Sequence, residues 1–230
     1  MARRLATGIP GLDKLIQGGF LENSVNLVTG ETGTGKTMFA CQFIWHGLQK
    51  GETGVYITLE EDPEDIREDA RQFGWDFEKY EKKGLFNIIY HDPAQINNLG
   101  SVIIDEVKRL KAKRLVVDST SVVGMSIEFP FQIRKVLLNI VNTIKRSECT
   151  AVLISESPEG SKMLTRFGIE EFVVDGVIML RYSSIGERAF GLIEVRKMRR
   201  TKHAHGTFDI QISSDGMEVL VRRGPSIPMR

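Results

Sequence analysis

Eight consecutive residues at positions 30–37 read Gly-Glu-Thr-Gly-Thr-Gly-Lys-Thr and fit the phosphate-loop pattern G-x-x-x-x-G-K-[ST]. Glycines let the backbone fold around phosphates without a Cβ in the way. Consecutive N–H groups at a helix N-terminus present positive partial charge to an anion. Lys36 adds a full charge near the β- and γ-phosphates, and the Thr37 hydroxyl is suited to ligate Mg²⁺.

The alternative for this segment is a glycine-rich turn with an incidental lysine. An apolar run precedes the loop and a helical pattern follows it, which is the context that a phosphate loop requires. We predict that Lys36 is catalytic as well as phosphate-binding. Because Glu31 is anionic, we expect its side chain to point away from the phosphates. The predicted nucleotide contacts in this segment are Thr32, Gly33, Thr34, Gly35, Lys36, Thr37 and Met38.

A carboxylate, Asp118, closes the apolar run at 115–117. The carboxyl end of a buried parallel strand lies at the mouth where ligands bind. Beside a phosphate loop, such an acid holds the magnesium and its water shell. The alternative is an aspartate that only starts a turn, but the neighbouring loop favours a metal site formed by Thr37 and Asp118.

Two glutamates, Glu60 and Glu61, follow another predicted strand. Hydrolysis needs a base or an orienting acceptor for the attacking water. The alternative is that both form the acidic first turn of the next helix, which the helix dipole favours. Both are candidate catalytic residues, and Glu60 is preferred over Glu61 by a small margin.

The elements that position these groups follow from the hydrophobic pattern. The repeated βα order predicts an α/β fold, with a mostly parallel sheet flanked by helices. Strands are predicted at 25–29, 54–59, 85–90, 114–117 and 150–155, and helices at 36–48, 63–73, 76–82, 102–110 and 129–146. Four later runs, 176–182, 187–197, 207–212 and 217–221, predict antiparallel strands that extend the sheet. We expect one domain over residues 1–223 and a disordered tail over 224–230.

Composition excludes several classes of protein. The chain has 230 residues, with 31 Lys and Arg against 30 Asp and Glu, so bulk charge does not favour nucleic acid or an anionic membrane. Two cysteines cannot form a disulfide scaffold or a cysteine zinc site. No apolar run approaches the ~20 residues of a membrane span. We therefore expect a cytoplasmic protein without a membrane span.

A basic segment at 196–203 holds five permanent cations. Three interpretations compete: a solvated hairpin tip, a contact to a nucleic-acid backbone, and a finger that reaches the γ-phosphate of a neighbouring subunit. Charge alone does not decide between them.

Beyond these candidate residues, the chain resembles a single KaiC-type domain of the RecA/RadA superfamily of P-loop ATPases over roughly residues 3–221. The resemblance is carried by TGIPGLD at 7–13, GGF at 18–20, TLEE at 58–61, FGWD at 73–76, VVDS at 116–119, RFGIEEFVVD at 166–175 and the K-x-R-x-T-x-H segment at 197–203. It departs from the family at Arg200 and Lys202, where Gly and Ser are more usual, and at Glu31 and Thr32, since family loops are commonly glycine-rich. The clock protein of this family has two such domains.

The resemblance implies a RecA-like core, ATP or ADP with Mg²⁺, and nucleotide sites between the subunits of a homo-oligomeric ring, commonly a hexamer. It implies that Lys197 and Arg199 act in trans, with Thr201 and His203 nearby. It also makes Gln72, Ser213 and Ser214 candidates for base or ribose contacts.

Three functions follow as hypotheses. The first is an ATPase that hydrolyses ATP with Mg²⁺ at the interfaces of a ring. The second is a nucleotide-dependent interaction switch with slow or no hydrolysis, and the third is a DNA-binding accessory protein of recombinase type. Neither a protein partner nor autokinase activity follows from the sequence.

Overall fold

The computed structural model describes residues 2–125, 127, 129–185 and 188–221. The predicted tail at 224–230 and Glu187, the predicted first residue of a strand, lie outside the described residues. The strands are β1 (Arg4–Leu5), β2 (Phe20–Leu21), β3 (Val25–Gly30), β4 (Gly54–Thr58), β5 (Phe86–Tyr90), β6 (Arg114–Asp118), β7 (Thr150–Glu156), β8 (Gly176–Ile185), β9 (Arg188–Met198), β10 (Thr207–Ser213) and β11 (Gly216–Leu220). The α-helices are α1 (Leu12–Leu15), α2 (Lys36–Gln49), α3 (Pro63–Gln72), α4 (Phe77–Glu81), α5 (Leu99–Leu110), α6 (Pro130–Arg146) and α7 (Glu170–Val173). Two 3₁₀ segments cover Pro93–Asn98 and Thr120–Gly124.

Within the described part of the chain, nine strands form one sheet in the order β11-β10-β9-β8-β3-β7-β6-β4-β5. The six strands from β8 to β5 are parallel to one another. Strands β9, β10 and β11 continue the sheet as antiparallel hairpins. This architecture confirms the predicted α/β class, with a mostly parallel sheet and an antiparallel C-terminal extension.

The central strand β3 shows why the sheet needs helices on both faces. Every residue of β3 is buried. Val28 belongs to the apolar cluster that contains the inner face of α2, whereas Val25 and Leu27 belong to the cluster that contains α5 and α6. A strand covered on both faces reads as a near-continuous apolar run rather than an alternating one, and the run at 25–29 therefore predicted this strand one residue shorter than it is.

Several short elements were not predicted. The two-residue strands β1 and β2 pair antiparallel, and the Arg4 guanidinium fixes this hairpin by donating to the carbonyl oxygens of Ile16 and Gly19 at 3.0 and 2.9 Å. Helix α5 begins at Leu99 instead of residue 102, directly after a 3₁₀ segment. Strands of two residues, such as β1 and β2, are too short to show a hydrophobic period. Their geometry depends instead on partners that are distant in the sequence. Among the described residues, no helix is long and apolar enough to span a membrane.

Candidate functional site

Three candidate groups lie together at the carboxyl edge of the parallel sheet. Gly30 ends β3 and begins the phosphate-binding segment, Asp118 ends β6, and Glu60 and Glu61 follow the end of β4. The β4–β6 register places Thr58 opposite Asp118. Because parallel strands end at the same edge, side chains far apart in sequence converge on one cleft.

The phosphate-binding segment has the backbone that its glycines require. Gly33 and Gly35 have φ of 79° and 88°, in the left-handed region, and Gly35 caps α2. Nothing lies within 4 Å of the position that a Cβ of Gly33 would take, so the open side of the segment forms a cradle. Lys36 Nζ donates to the carbonyl oxygen of Glu31 at 2.8 Å, next to this cradle. Partial burial lowers the pKa of the Lys36 ammonium, and the negative charges of Glu156, Asp118 and Glu60 oppose that shift.

The candidate metal residues are in direct contact. Thr37 Oγ1 donates to Asp118 Oδ2 at 3.0 Å, and the Tyr56 hydroxyl donates to the same oxygen at 2.7 Å. Asp118 is 9% exposed; burial raises the pKa of its carboxyl, while these two hydrogen bonds lower it. A hydroxyl beside a carboxylate is a hard oxygen donor set, which fits Mg²⁺.

The two glutamates differ in their contacts. Glu60 Oε2 accepts a hydrogen bond from Ser119 Oγ at 2.5 Å, which ties this carboxylate to the end of β6. The Glu61 carboxyl is exposed to the cleft, and partial loss of solvent raises its pKa, together with repulsion from Asp118 and other acids. Thr58 Oγ1 accepts from the Glu61 N–H at 3.0 Å and fixes the turn that presents both side chains.

A cleft of about 400 Å³ lies beside the phosphate-binding segment. Gln72, a predicted base or ribose contact, lies in its wall together with Glu61 and the first residues of α2. The cleft is lined by Gly33, Gly35, Lys36, Thr37, Met38, Cys41, Glu61, Asp69, Ala70, Gln72, Phe73 and Trp75. Phe73 and Trp75, which belong to the FGWD motif, were not predicted as wall residues.

The Ser213–Ser214 turn lies at the same edge of the sheet. Strand β10 runs in the direction of β3, because it is antiparallel to β9, which is antiparallel to β8. The hairpin also packs on α2, since the Gln42 amide donates to the Met217 carbonyl at 2.9 Å and accepts from the Met217 N–H at 2.7 Å. The two serines are therefore close to the segment that would hold a nucleotide.

The basic segment, residues 196–203, lies toward the amino ends of the parallel strands, on the side of the sheet away from the cleft. In the β8–β9 register Lys197 is paired with Val177, which is paired with Leu27, three residues before the end of β3. At about 3.3 Å per residue, Lys197 is therefore level with a point of β3 that is roughly 10 Å from the start of the phosphate-binding segment. Lys197 Nζ donates to the carbonyl oxygens of Glu171 and Val174 at 2.8 and 2.7 Å, and burial lowers the pKa of this ammonium.

The other predicted members of the basic segment have local partners as well. Arg199 is about half exposed; it donates to the Phe172 carbonyl at 3.3 Å and lies 3.8 Å from an Asp175 carboxylate oxygen. Thr201 Oγ1 accepts from Arg4 at 3.2 Å, and the His203 ring contacts the Ala204 carbonyl at 3.0 Å. These four residues lie in one short segment, and none of them lines the cleft of its own chain.

The loop after β7 contacts the phosphate-binding segment through Glu31. Glu31 Oε1 accepts from the Gly160 N–H at 2.9 Å, so its carboxylate is turned toward this loop, in agreement with the expectation for an anionic residue here. The Ser157 N–H donates to the Gly30 carbonyl at 3.0 Å in the same region. No sequence signal identified the contact to Gly160, because it joins positions 129 residues apart.

Comparisons with known proteins agree with this geometry. A family model described as "ATPase: KaiC" matches residues 5–223. A UPF0273 protein of Pyrococcus furiosus is 37% identical over 97% of this chain and 98% of its own length. The circadian clock protein KaiC3 of Synechocystis is 33% identical over 91% of this chain, which corresponds to 44% of the clock protein. The crystal structure of a KaiC-like protein of Pyrococcus horikoshii superposes with a TM-score of 0.88 at 41% identity, covering 96% of this chain and 100% of the other.

Proposed function

This chain belongs to the KaiC ATPase family, as its motifs predicted, and on that premise we propose that it binds ATP with Mg²⁺ and hydrolyses it between the subunits of a ring. The observation that carries the proposal is the 3.0 Å contact between Thr37 and Asp118. This contact joins the phosphate-binding segment to the acid at the end of β6. The two side chains that the sequence identifies separately as magnesium ligands are thus in contact, which supports a shared ligand.

The phosphates of ATP would lie in the cradle around Gly33. The backbone N–H groups that open α2 would bind them with the help of the helix dipole. Lys36 would exchange the Glu31 carbonyl for the β- and γ-phosphate oxygens, which are stronger acceptors because they are charged.

Thr37 and Asp118 would hold the magnesium ion. When bound, the ion supplies positive charge that neutralises the phosphates. Glu60, or alternatively Glu61, would accept a proton from the attacking water, and the hydrogen bond from Ser119 holds Glu60 in place for that task.

The catalytic cations would come from the neighbouring subunit. The position of Lys197 and Arg199 at the opposite edge of the sheet argues against any contact with their own phosphates. Arg199 is the more available of the two, because two carbonyls of its own chain already accept two of the three hydrogens of the Lys197 ammonium. In a head-to-tail ring, one subunit presents this edge to the cleft of the next.

We expect that Lys36→Ala weakens ATP and ADP binding about tenfold to a hundredfold, since a hydrogen-bonded charge contact is lost. Isothermal titration calorimetry with Mg²⁺ measures this effect. Lys108→Ala is the matched control, because Lys108 is exposed on α5, outside the cleft. If the wild-type protein gave no heat with either nucleotide, the proposal would be wrong as a whole.

A second prediction concerns the charge of Glu31. Glu31→Gln keeps the acceptor for the Gly160 N–H but removes a negative charge from the phosphate-binding segment. We expect ATP to bind about fivefold more tightly, which corresponds to roughly 1 kcal/mol of screened repulsion. The gain should be larger for ATP than for ADP and should shrink with added salt. Glu22→Gln, an exposed change at the other edge of the sheet, should have no effect.

One observation supports the second candidate, a nucleotide-dependent switch with slow hydrolysis. The basic turn carries Arg200 at a φ of 56° and the exposed Lys202, where Gly and Ser are usual in the family. The additional charge, together with the hydrogen bonds of Lys197 within its own chain, would then keep Lys197 and Arg199 away from the nucleotide of the neighbouring subunit. Gel filtration with and without ATP, combined with steady-state phosphate release, separates the two: nucleotide-dependent assembly without turnover supports the switch.

A further inference from the structure

A buried phenol lies directly under the candidate metal site. Tyr56 is in β4, fully buried, and it belongs to the apolar cluster that also contains the inner face of α2. Its hydroxyl donates to Asp118 Oδ2 at 2.7 Å. A phenylalanine would fill the same apolar space without a hydroxyl that requires a partner. Packing therefore does not explain why this position carries a tyrosine.

The hydroxyl acts on one particular oxygen of Asp118. Among the described residues, the hydrogen bonds to this carboxylate come from Tyr56 and Thr37, and both reach Oδ2. Two donors on the same oxygen fix the plane of the carboxylate. Together they hold the carboxylate beside Thr37, the other predicted magnesium ligand.

We propose that Tyr56 is a positioning residue for magnesium: its hydroxyl anchors Asp118 Oδ2 and so holds the carboxylate beside Thr37, where these two residues would bind the metal and its water shell. The inference rests on the proposed function, because it assigns a task within the same site. Thr37 has two tasks there, since its oxygen is the predicted metal ligand while its hydrogen is donated to Asp118. The Tyr56 hydroxyl has a single task, which is to donate to Asp118, so it holds this carboxylate whichever way the Thr37 hydroxyl turns.

The Tyr56 hydroxyl should affect the affinity for magnesium and not the affinity for the nucleotide alone. Groups that orient metal ligands typically contribute tenfold to a hundredfold to metal affinity. The phosphate contacts of Lys36 and the α2 N-terminus do not involve Tyr56. Nucleotide affinity without metal should therefore be independent of the tyrosine hydroxyl.

The test is Tyr56→Phe, which removes one oxygen and keeps the ring. ADP binding is titrated by calorimetry in EDTA and then at increasing Mg²⁺. We expect wild-type affinity in EDTA and about a tenfold rise in the Mg²⁺ concentration that gives half of the magnesium-dependent gain. Tyr80→Phe is the matched control: it makes the same change in a half-buried tyrosine that packs on Trp45 away from Asp118, and it should leave both values unchanged.

Each other outcome has a defined meaning. An unchanged magnesium dependence in Tyr56→Phe overturns the inference. An equal loss of ADP affinity with and without Mg²⁺ also overturns it, because the hydroxyl would then support the phosphate-binding segment rather than the metal. Circular-dichroism melting shows whether the variant folds. If it does not, Tyr56 has a structural role and the inference is likewise overturned. If wild-type protein binds no ADP, the proposed function fails first, and that result is visible before any variant is made.

Discussion

Replacing Arg199 by alanine should lower ATP hydrolysis about 10³- to 10⁵-fold, which is the range for cations that reach a γ-phosphate across an interface. Nucleotide binding and the melting temperature should change little, since the Arg199 side chain is about half exposed and its contacts with other described residues are long, at 3.3 and 3.8 Å. Steady-state phosphate release measures the loss. Lys108→Ala is the matched control, because it removes an exposed cation from α5, outside both the cleft and the basic segment.

A mixing experiment separates action in trans from a local effect. Arg199→Ala subunits keep an intact Glu60, and Glu60→Gln subunits keep an intact Arg199. With equal amounts and random assembly, about a quarter of the interfaces then combine both intact groups, so activity should return to about that fraction of wild type. Activity that stays at the level of the inactive variants after subunit exchange would show that the finger does not act between subunits.

Replacing Glu60 by glutamine should lower the rate of hydrolysis about 10²- to 10⁴-fold, because the water loses the group that accepts its proton. ATP affinity should remain, since glutamine keeps an oxygen acceptor for the Ser119 hydroxyl and the phosphate contacts are untouched. Phosphate release and calorimetry on the same samples measure the two quantities. Glu68→Gln is the matched control, as it is exposed on α3.

The companion variant Glu61→Gln decides between the two glutamates. Glu61 faces the cleft with a raised pKa, whereas Glu60 is anchored to β6. A large loss in Glu61→Gln with a wild-type rate in Glu60→Gln would transfer the role of base to Glu61. Wild-type rates in both variants would remove the catalytic assignment from this turn.

Those parts of the candidate site whose geometry is local could be predicted from the amino-acid sequence. The phosphate-binding segment needs glycines at positive φ and a lysine at the start of a helix, and all of these lie within eight residues. Asp118 could be predicted because continuous apolar strands imply a parallel sheet, and parallel strands bring their carboxyl ends to one edge. The family resemblance then supplied residues such as Gln72, which no local pattern singles out.

The tertiary structure alone decided contacts that depend on strand register and strand order. Tyr56 meets Asp118 because β4 lies beside β6 in a register that pairs Thr58 with Asp118, and nothing in either segment specifies that alignment. Arg199 lies at the edge opposite its own cleft because β9 runs antiparallel to β8. Side chains that are distant in sequence meet only when the whole sheet has assembled, since their positions are set by hydrogen bonding between strands rather than by the preferences of each segment.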